Sequence, residues 1–186
     1  MSGMTLHATP LVGLTLVETV PVADERGRFV RVFCQAELAA LRPGLHFPQL
    51  NLSTTFQRGG VRGMHFQRPP AAEAKLIRCV RGCVFDVAID LRAGSPTFLR
   101  WLGVELAEDA PVQVFIPEGF AHGFQALSDD AQLLYMHTAP WSREHEGGLR
   151  HDDPRLAIDW PLPVAQVSER DRAHPLLDDS FAGLAA

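Results

Sequence analysis

Cysteine is scarce in this chain, tyrosine occurs once, and neither apolar nor basic residues form long runs. Each scarcity excludes something. Three cysteines in 186 residues are too few, and odd in number, for a disulfide framework, so Cys34, Cys79 and Cys83 read as reduced, buried thiols. No apolar stretch reaches membrane-spanning length and no secretory-type apolar segment opens the chain, which points to a cytoplasmic protein with no membrane partner. Basic residues number 17 against 22 acidic ones, for a formal net charge of −5, and they do not cluster. Nucleic acid is therefore not an expected partner. Arginines set singly beside glycines and aromatics suit a local phosphate or carboxylate instead. Repeats, low-complexity segments and linkers are missing too.

What is present is ordinary globular composition, 46% hydrophobic and 21% charged, enough for one domain over 1–186 with a real core. Its core is expected over about 10–165, with an irregular tail over 166–186 wrapping the body. Short apolar, β-branched runs separated by Gly, Pro and Asp predict strands near 11–20, 27–33, 49–56, 60–66, 74–80, 83–91, 98–106, 112–117, 123–127 and 132–138. Many short strands with regular turn signals make an all-β sandwich or barrel. One helix is expected over 35–43, ended by Pro43 and Gly44. The Arg81-Gly82 pair predicts a two-residue hairpin joining 74–80 to 83–91, which would set Lys75 close to Asp86.

Two segments carry chemistry. In "RGMHFQ" (62–67), His65 and Gln67 alternate onto one face of a strand. "PEGFAHGF" (117–124) supplies His122. Metal-binding cupins carry a His-x-His motif and a Pro-x-Gly-x-x-His motif at such places. Here the second is complete, but Gln67 stands in for a histidine and Lys75 falls near the expected Glu, so no metal is expected. The same residue types suit acid–base work. His65 is a candidate base, Asp171 in "SERDR" a carboxylate to orient it, Tyr135 a candidate acid, and Lys75 a cation able to stabilise an enolate oxygen.

From about residue 10 to 176 the chain resembles the dTDP-4-dehydrorhamnose 3,5-epimerase family of cofactor-free cupins. The matching pieces are "DERGRF", "NLS", "RGMHFQ", "AKLIRCVRGCVFDVAIDLRAGSPTF", "IPEGFAHGF", "LSDDAQLLYMHT", "EHEGGLRHDDPRLAIDWP" and "SERD", in family order and spacing. The resemblance implies a cupin-type jelly-roll β-barrel with a few short helices, a homodimer formed by strand exchange, no cofactor, and epimerisation of a nucleotide-linked 4-keto-6-deoxyhexose. It further implies that His65 removes the proton next to the C4 ketone with Asp171 as partner, that Lys75, held by Asp86, stabilises the enolate, and that Tyr135 returns a proton from the other face. His122 would line the pocket and Arg62 would grip the diphosphate. Gln49 and Asn51 lie on the strand that contacts the nucleotide sugar. Gln67, Trp141 and Glu146 complete the substrate-binding set, with Arg26 and Phe29 reaching the base from the neighbouring subunit.

Three positions depart from the family pattern. Arg31 stands where relatives carry a glutamate placed to accept from thymine N3, so a CDP-linked sugar becomes an alternative to a dTDP-linked one. Trp141 replaces a tyrosine against the sugar and adds bulk, which makes epimerisation at C3 or C5 alone credible. His151 replaces a peripheral tryptophan. Alternatives of other classes are a metal-dependent cupin and a non-catalytic nucleotide-sugar-binding cupin.

Overall fold

A computed structural model describes residues 3–185. Its strands, in chain order, are β1 (Met4–Ala8), β2 (Thr15–Thr19), β3 (Val22–Asp24), β4 (Gly27–Phe29), β5 (Gln49–Thr55), β6 (Gly60–Gln67), β7 (Lys75–Arg81), β8 (Cys83–Asp90), β9 (Trp101–Ala107), β10 (Val112–Ile116), β11 (Phe120–Ala126), β12 (Ala131–His137), β13 (Glu146–Gly148) and β14 (Gln166–Val167). Two one-turn helices, α1 (Gln35–Leu38) and α2 (Glu169–Arg172), accompany them. One sheet runs β1-β2-β10-β7-β12-β5; a second runs β13-β6-β11-β8-β9, with β14 added parallel to β6. A separate β3–β4 ribbon stands apart from both.

The expected 74–91 hairpin does not form. β7 pairs with β10 and β12 in the first sheet, whereas β8 pairs with β11 and β9 in the second. Gly82 makes the passage between sheets at φ +71°, where an added Cβ would lie 2.2 Å from Ser128 Oγ. Arg-Gly is thus a corner and not a hairpin turn, and strands this apolar find partners on both sides in different layers. The helix expected over 35–43 stops at Leu38: the Cys34 side chain at its N-cap makes no capping hydrogen bond, and the chain continues in turns.

The sheets pack face to face, and their inward positions change character along the strands. On β7, Cys79 and Ile77 are core while Lys75, two positions on, is polar; on β12, Ala131 and Leu133 give way to Tyr135 and His137. On β11, Ala126 and Phe124 give way to His122. The period of two keeps these side chains on one face, so the inter-sheet space is an apolar core at one end and a polar cleft at the other. Outside the second sheet, the C-terminal segment packs Leu156, Leu177 and Leu184 onto Met64, Phe66, Val87 and Ile89. This segment contains β14 and α2 besides irregular chain.

Candidate active site

The His65 end of the cleft depends on a bulge. His122 of β11 faces His65 of β6, yet Phe124, two residues on, faces Arg62, three residues back. The extra residue shifts the pleat so that Arg62 and His65 both reach the cleft. Gly63 makes this possible: it sits at φ +117°, and a Cβ there would lie 2.5 Å from Gly123 Cα.

His65 Nε2 lies 2.8 Å from Asp171 Oδ1, and Asp171 Oδ2 accepts the Gly63 backbone N–H at 3.1 Å. Ser168 caps α2 by accepting the Asp171 N–H at 3.0 Å, which fixes the carboxylate behind the imidazole. Burial raises the Asp171 carboxyl, but its bond to His65, the imidazole's charge and the Gly63 N–H outweigh this and hold it well below the usual carboxylate range. As an anion it accepts Nε2–H, leaving the lone pair on Nδ1. Arg170 approaches the same Nε2 at 3.3 Å while pairing with Glu146 at 3.2 Å. Since Nε2–H is directed to Asp171, the Arg170 contact is that of a neighbouring cation and not a hydrogen bond.

The facing sheet brings Asn51 and Ser53 from β5, Lys75 from β7, and Tyr135 and His137 from β12 into the same cleft of about 230 Å³. Gln67, His122, Phe66, Phe124, Glu73, Trp141, Glu146 and Arg170 complete its lining. A second hollow of about 430 Å³ joins it through Arg62, His65 and Arg170 and runs beneath β14 and α2. Burial, with the Asp86 charge adding to it, pushes the Tyr135 hydroxyl well above the usual phenol value, so it stays protonated. Burial pulls His122 below the ordinary imidazole value, against the opposing pull of Asp86.

A family profile described as dTDP-4-dehydrorhamnose 3,5-epimerase matches residues 8–179. The chain belongs to that family. A dTDP-4-dehydrorhamnose 3,5-epimerase of Sinorhizobium fredii is 41% identical over 94% of this chain and 90% of that protein. A dTDP-4-dehydrorhamnose 3-epimerase of Streptomyces niveus is 39% identical over 95% of this chain and 86% of that one. The crystal structure of a dTDP-6-deoxy-D-glucose-3,5-epimerase from Legionella pneumophila, in complex with dTDP-4-keto-L-rhamnose, superposes with a TM-score of 0.90 at 38% identity, covering 98% of each chain. The fold shared with these epimerases is the cupin-type jelly roll.

Of the family-implied residues, nine line one cleft: Asn51, Arg62, His65, Gln67, Lys75, His122, Tyr135, Trp141 and Glu146. Others stand elsewhere. Asp86 does not hold Lys75; its Oδ2 lies 2.8 Å from His122 Nε2, because β7 and β8 are in opposite sheets. Lys75 Nζ instead pairs with Glu73 at 3.2 Å. Gln67 spends its amide N–H groups on the Ala71 and Pro140 carbonyls and its oxygen on the Ser142 N–H, while Gln49 accepts the Trp141 N–H at 3.1 Å. Both glutamines thereby anchor the loop that carries Trp141. Arg26 pairs with Asp24 on the exposed β3–β4 ribbon, where Phe29 is 69% exposed, and neither lines this chain's cleft. Arg31 is ion-paired with Glu37 of α1. Glu73, His137 and Arg170 went unnoticed in the sequence; Glu73 and Arg170 sit two positions before Lys75 and one before Asp171, and nothing local marks them.

Proposed function

We infer that the protein is a cofactor-independent carbohydrate epimerase acting on dTDP-4-dehydro-6-deoxyglucose, inverting C3 and C5 in deoxysugar synthesis of the dTDP-rhamnose type. One observation carries this reading: His65 and Tyr135 project from facing sheets into one cleft, with a lysine between the layers. A base and an acid on opposite walls suit inversion at carbon, since one face loses a proton and the other gains one.

His65 Nδ1 takes the proton on the carbon next to the C4 ketone, and the C–H electron pair moves into an enolate. The Lys75 ammonium stabilises the developing oxyanion. Tyr135 gives its hydroxyl proton to the opposite face of the same carbon, the carbonyl re-forms, and the proton on His65 returns to Tyr135 by way of solvent. Asp171 supports the imidazolium. Arg62 grips the diphosphate, while Asn51, His122 and Glu146 face the sugar. Homodimerisation would carry Arg26 and Phe29 of the exposed ribbon to the partner's nucleotide, and the compartment is the cytoplasm.

Trp141 favours a second reading, inversion at one centre only. Its side chain lines the cleft, and its loop is anchored by Gln49 and Gln67, so it narrows the ways a ring can be presented to His65. Arg31, engaged with Glu37, lends no support to a CDP-linked substrate. Proton NMR in D₂O with the dTDP sugar tests both readings: label at C3 and C5 supports the first, label at one carbon the second. Absence of exchange overturns both.

A further inference from the structure

Lys75 is the chain's single lysine, and it hangs on a flexible four-carbon stem. To stabilise an enolate it must be held charged and in place before the substrate arrives. Asp86 is committed to His122, so the tether is another group.

That group is Glu73, in the loop between β6 and β7. Its carboxylate lies 3.2 Å from Lys75 Nζ and 2.8 Å from His137 Nδ1. Lys75, Glu73 and His137 side chains are only 9%, 7% and 12% exposed. His137 stands directly across from Lys75 in the β7–β12 register, so one carboxylate bridges two neighbouring strands. Burial raises the Glu73 carboxyl, yet the His137 bond and the Lys75 charge outweigh it, and the group is held below its ordinary value as an anion.

An anion accepts from both partners. His137 therefore donates Nδ1–H to Glu73, and its Nε2, 3.2 Å from Asn51 Nδ2, accepts from that amide. With both nitrogens engaged, His137 is a brace and not a second base, and its ring stacks on Tyr135 at 5.8 Å and 17°. An ammonium has three N–H groups; one directed at Glu73 leaves two for an oxygen in the cleft.

We propose that Glu73 is the positioning residue for Lys75, fixing its ammonium group at the wall of the cleft while His137 fixes Glu73. This rests on the epimerase reading above, because it assigns Lys75 an enolate to stabilise. Glu73 touches no reacting atom; it acts through Lys75.

Steady-state kinetics on the full chain, with the dTDP-linked 4-keto sugar, test it. E73Q keeps the shape and removes the charge, and its kcat is expected to fall about 10²-fold with KM within twofold, as for a misplaced group that serves only the transition state. E73D, which restores the charge, is expected to recover part of the loss. H137F, which keeps a ring on Tyr135 but removes the N–H, is expected to lower kcat less than E73Q. The E73Q/H137F double variant should be no slower than E73Q alone, because His137 acts through Glu73. Unchanged kcat in E73Q, a raised KM with intact kcat, or additive losses in the double variant would overturn the proposal. If E73Q does not fold, E73D and H137F carry the same test, with full kcat in both overturning it.

A readout independent of turnover separates this proposal from the epimerase reading. With one lysine, ¹⁵N-lysine labelling gives a single side-chain Nζ resonance. Its shift and hydrogen-exchange rate should change in E73Q, and no change overturns the proposal even if the wild type proves inactive on the sugar.

Discussion

Asp86 Oδ2 accepts the His122 Nε2–H at 2.8 Å across the β8–β11 pair, and both side chains are at least 95% buried. Asp86 thereby backs a cleft-lining histidine, and the His122 ring stands edge-on to Tyr135 at 5.8 Å. It gives the Tyr135 ring a rigid backing. Asp86→Ala would leave a buried N–H without its acceptor, at a cost of about 1–3 kcal/mol in unfolding free energy. Urea denaturation measures this directly.

Burial of His122 also makes stability depend on pH, and the sign is fixed. Its proton affinity in the fold is lowered, as are those of His151 and His174, each chiefly by desolvation. Below about pH 6.5 the unfolded chain takes up protons that the fold resists, so stability falls as pH falls. Asp90, held down to about 2, and Asp171, also depressed, act in the same direction further down: their contribution is present above about pH 4 and is lost as pH falls through their folded values. The denaturation midpoint should therefore be lower at pH 5.5 than at pH 7.5, and lower again at pH 3.5. A midpoint independent of pH over this span would contradict the burial of these groups.

The dyad assignment gives a further expectation. His65→Ala should abolish both proton exchange and epimerisation, and Asp171→Asn should lower kcat by about 10²-fold or more while leaving a folded chain, in the range usual for acid–base groups. Kinetics and circular dichroism on the same samples check the two halves.

Tyr135 enters after His65 in the proposed mechanism, so its loss should separate two observables. Tyr135→Phe is expected to reduce net inversion by about 10²–10⁴-fold while retaining more of the deuterium exchange. Full inversion in this variant would remove Tyr135 as the acid.

The β6 bulge is needed for the site's geometry. Gly63→Ala places a Cβ 2.5 Å from Gly123 Cα and 2.8 Å from the His122 carbonyl oxygen, at φ +117°. Backbone atoms cannot step aside, so the cost should be at least about 1–3 kcal/mol. Activity should fall with it, because Arg62 and His65 share the cleft only through that bulge.

Several of these features were legible in the sequence and others were not. Alternating apolar runs located β5, β6, β10 and β12 to within a residue or two, because period-two patterning is a local signal. Which sheet a strand joins is not local: Arg81-Gly82 has the residues of a hairpin turn, yet β7 and β8 part there. That single error moved Asp86 to the wrong partner. Asp171 was legible as a carboxylate able to orient His65, but with 106 positions between them only folding brings the two together. Glu73 and His137, 64 positions apart, carried no signal at all. Their partnership exists only once β7 and β12 lie side by side, and Gln67, expected on the substrate, is spent on loops for the same kind of reason.

The most direct test is proton NMR of dTDP-4-dehydro-6-deoxyglucose incubated with the purified protein in D₂O. Deuterium incorporation at C3 and C5, lost in His65→Ala, is the expected result. No incorporation at either carbon with folded wild-type protein would contradict proton abstraction beside the C4 ketone, and with it the role given to every residue of the cleft.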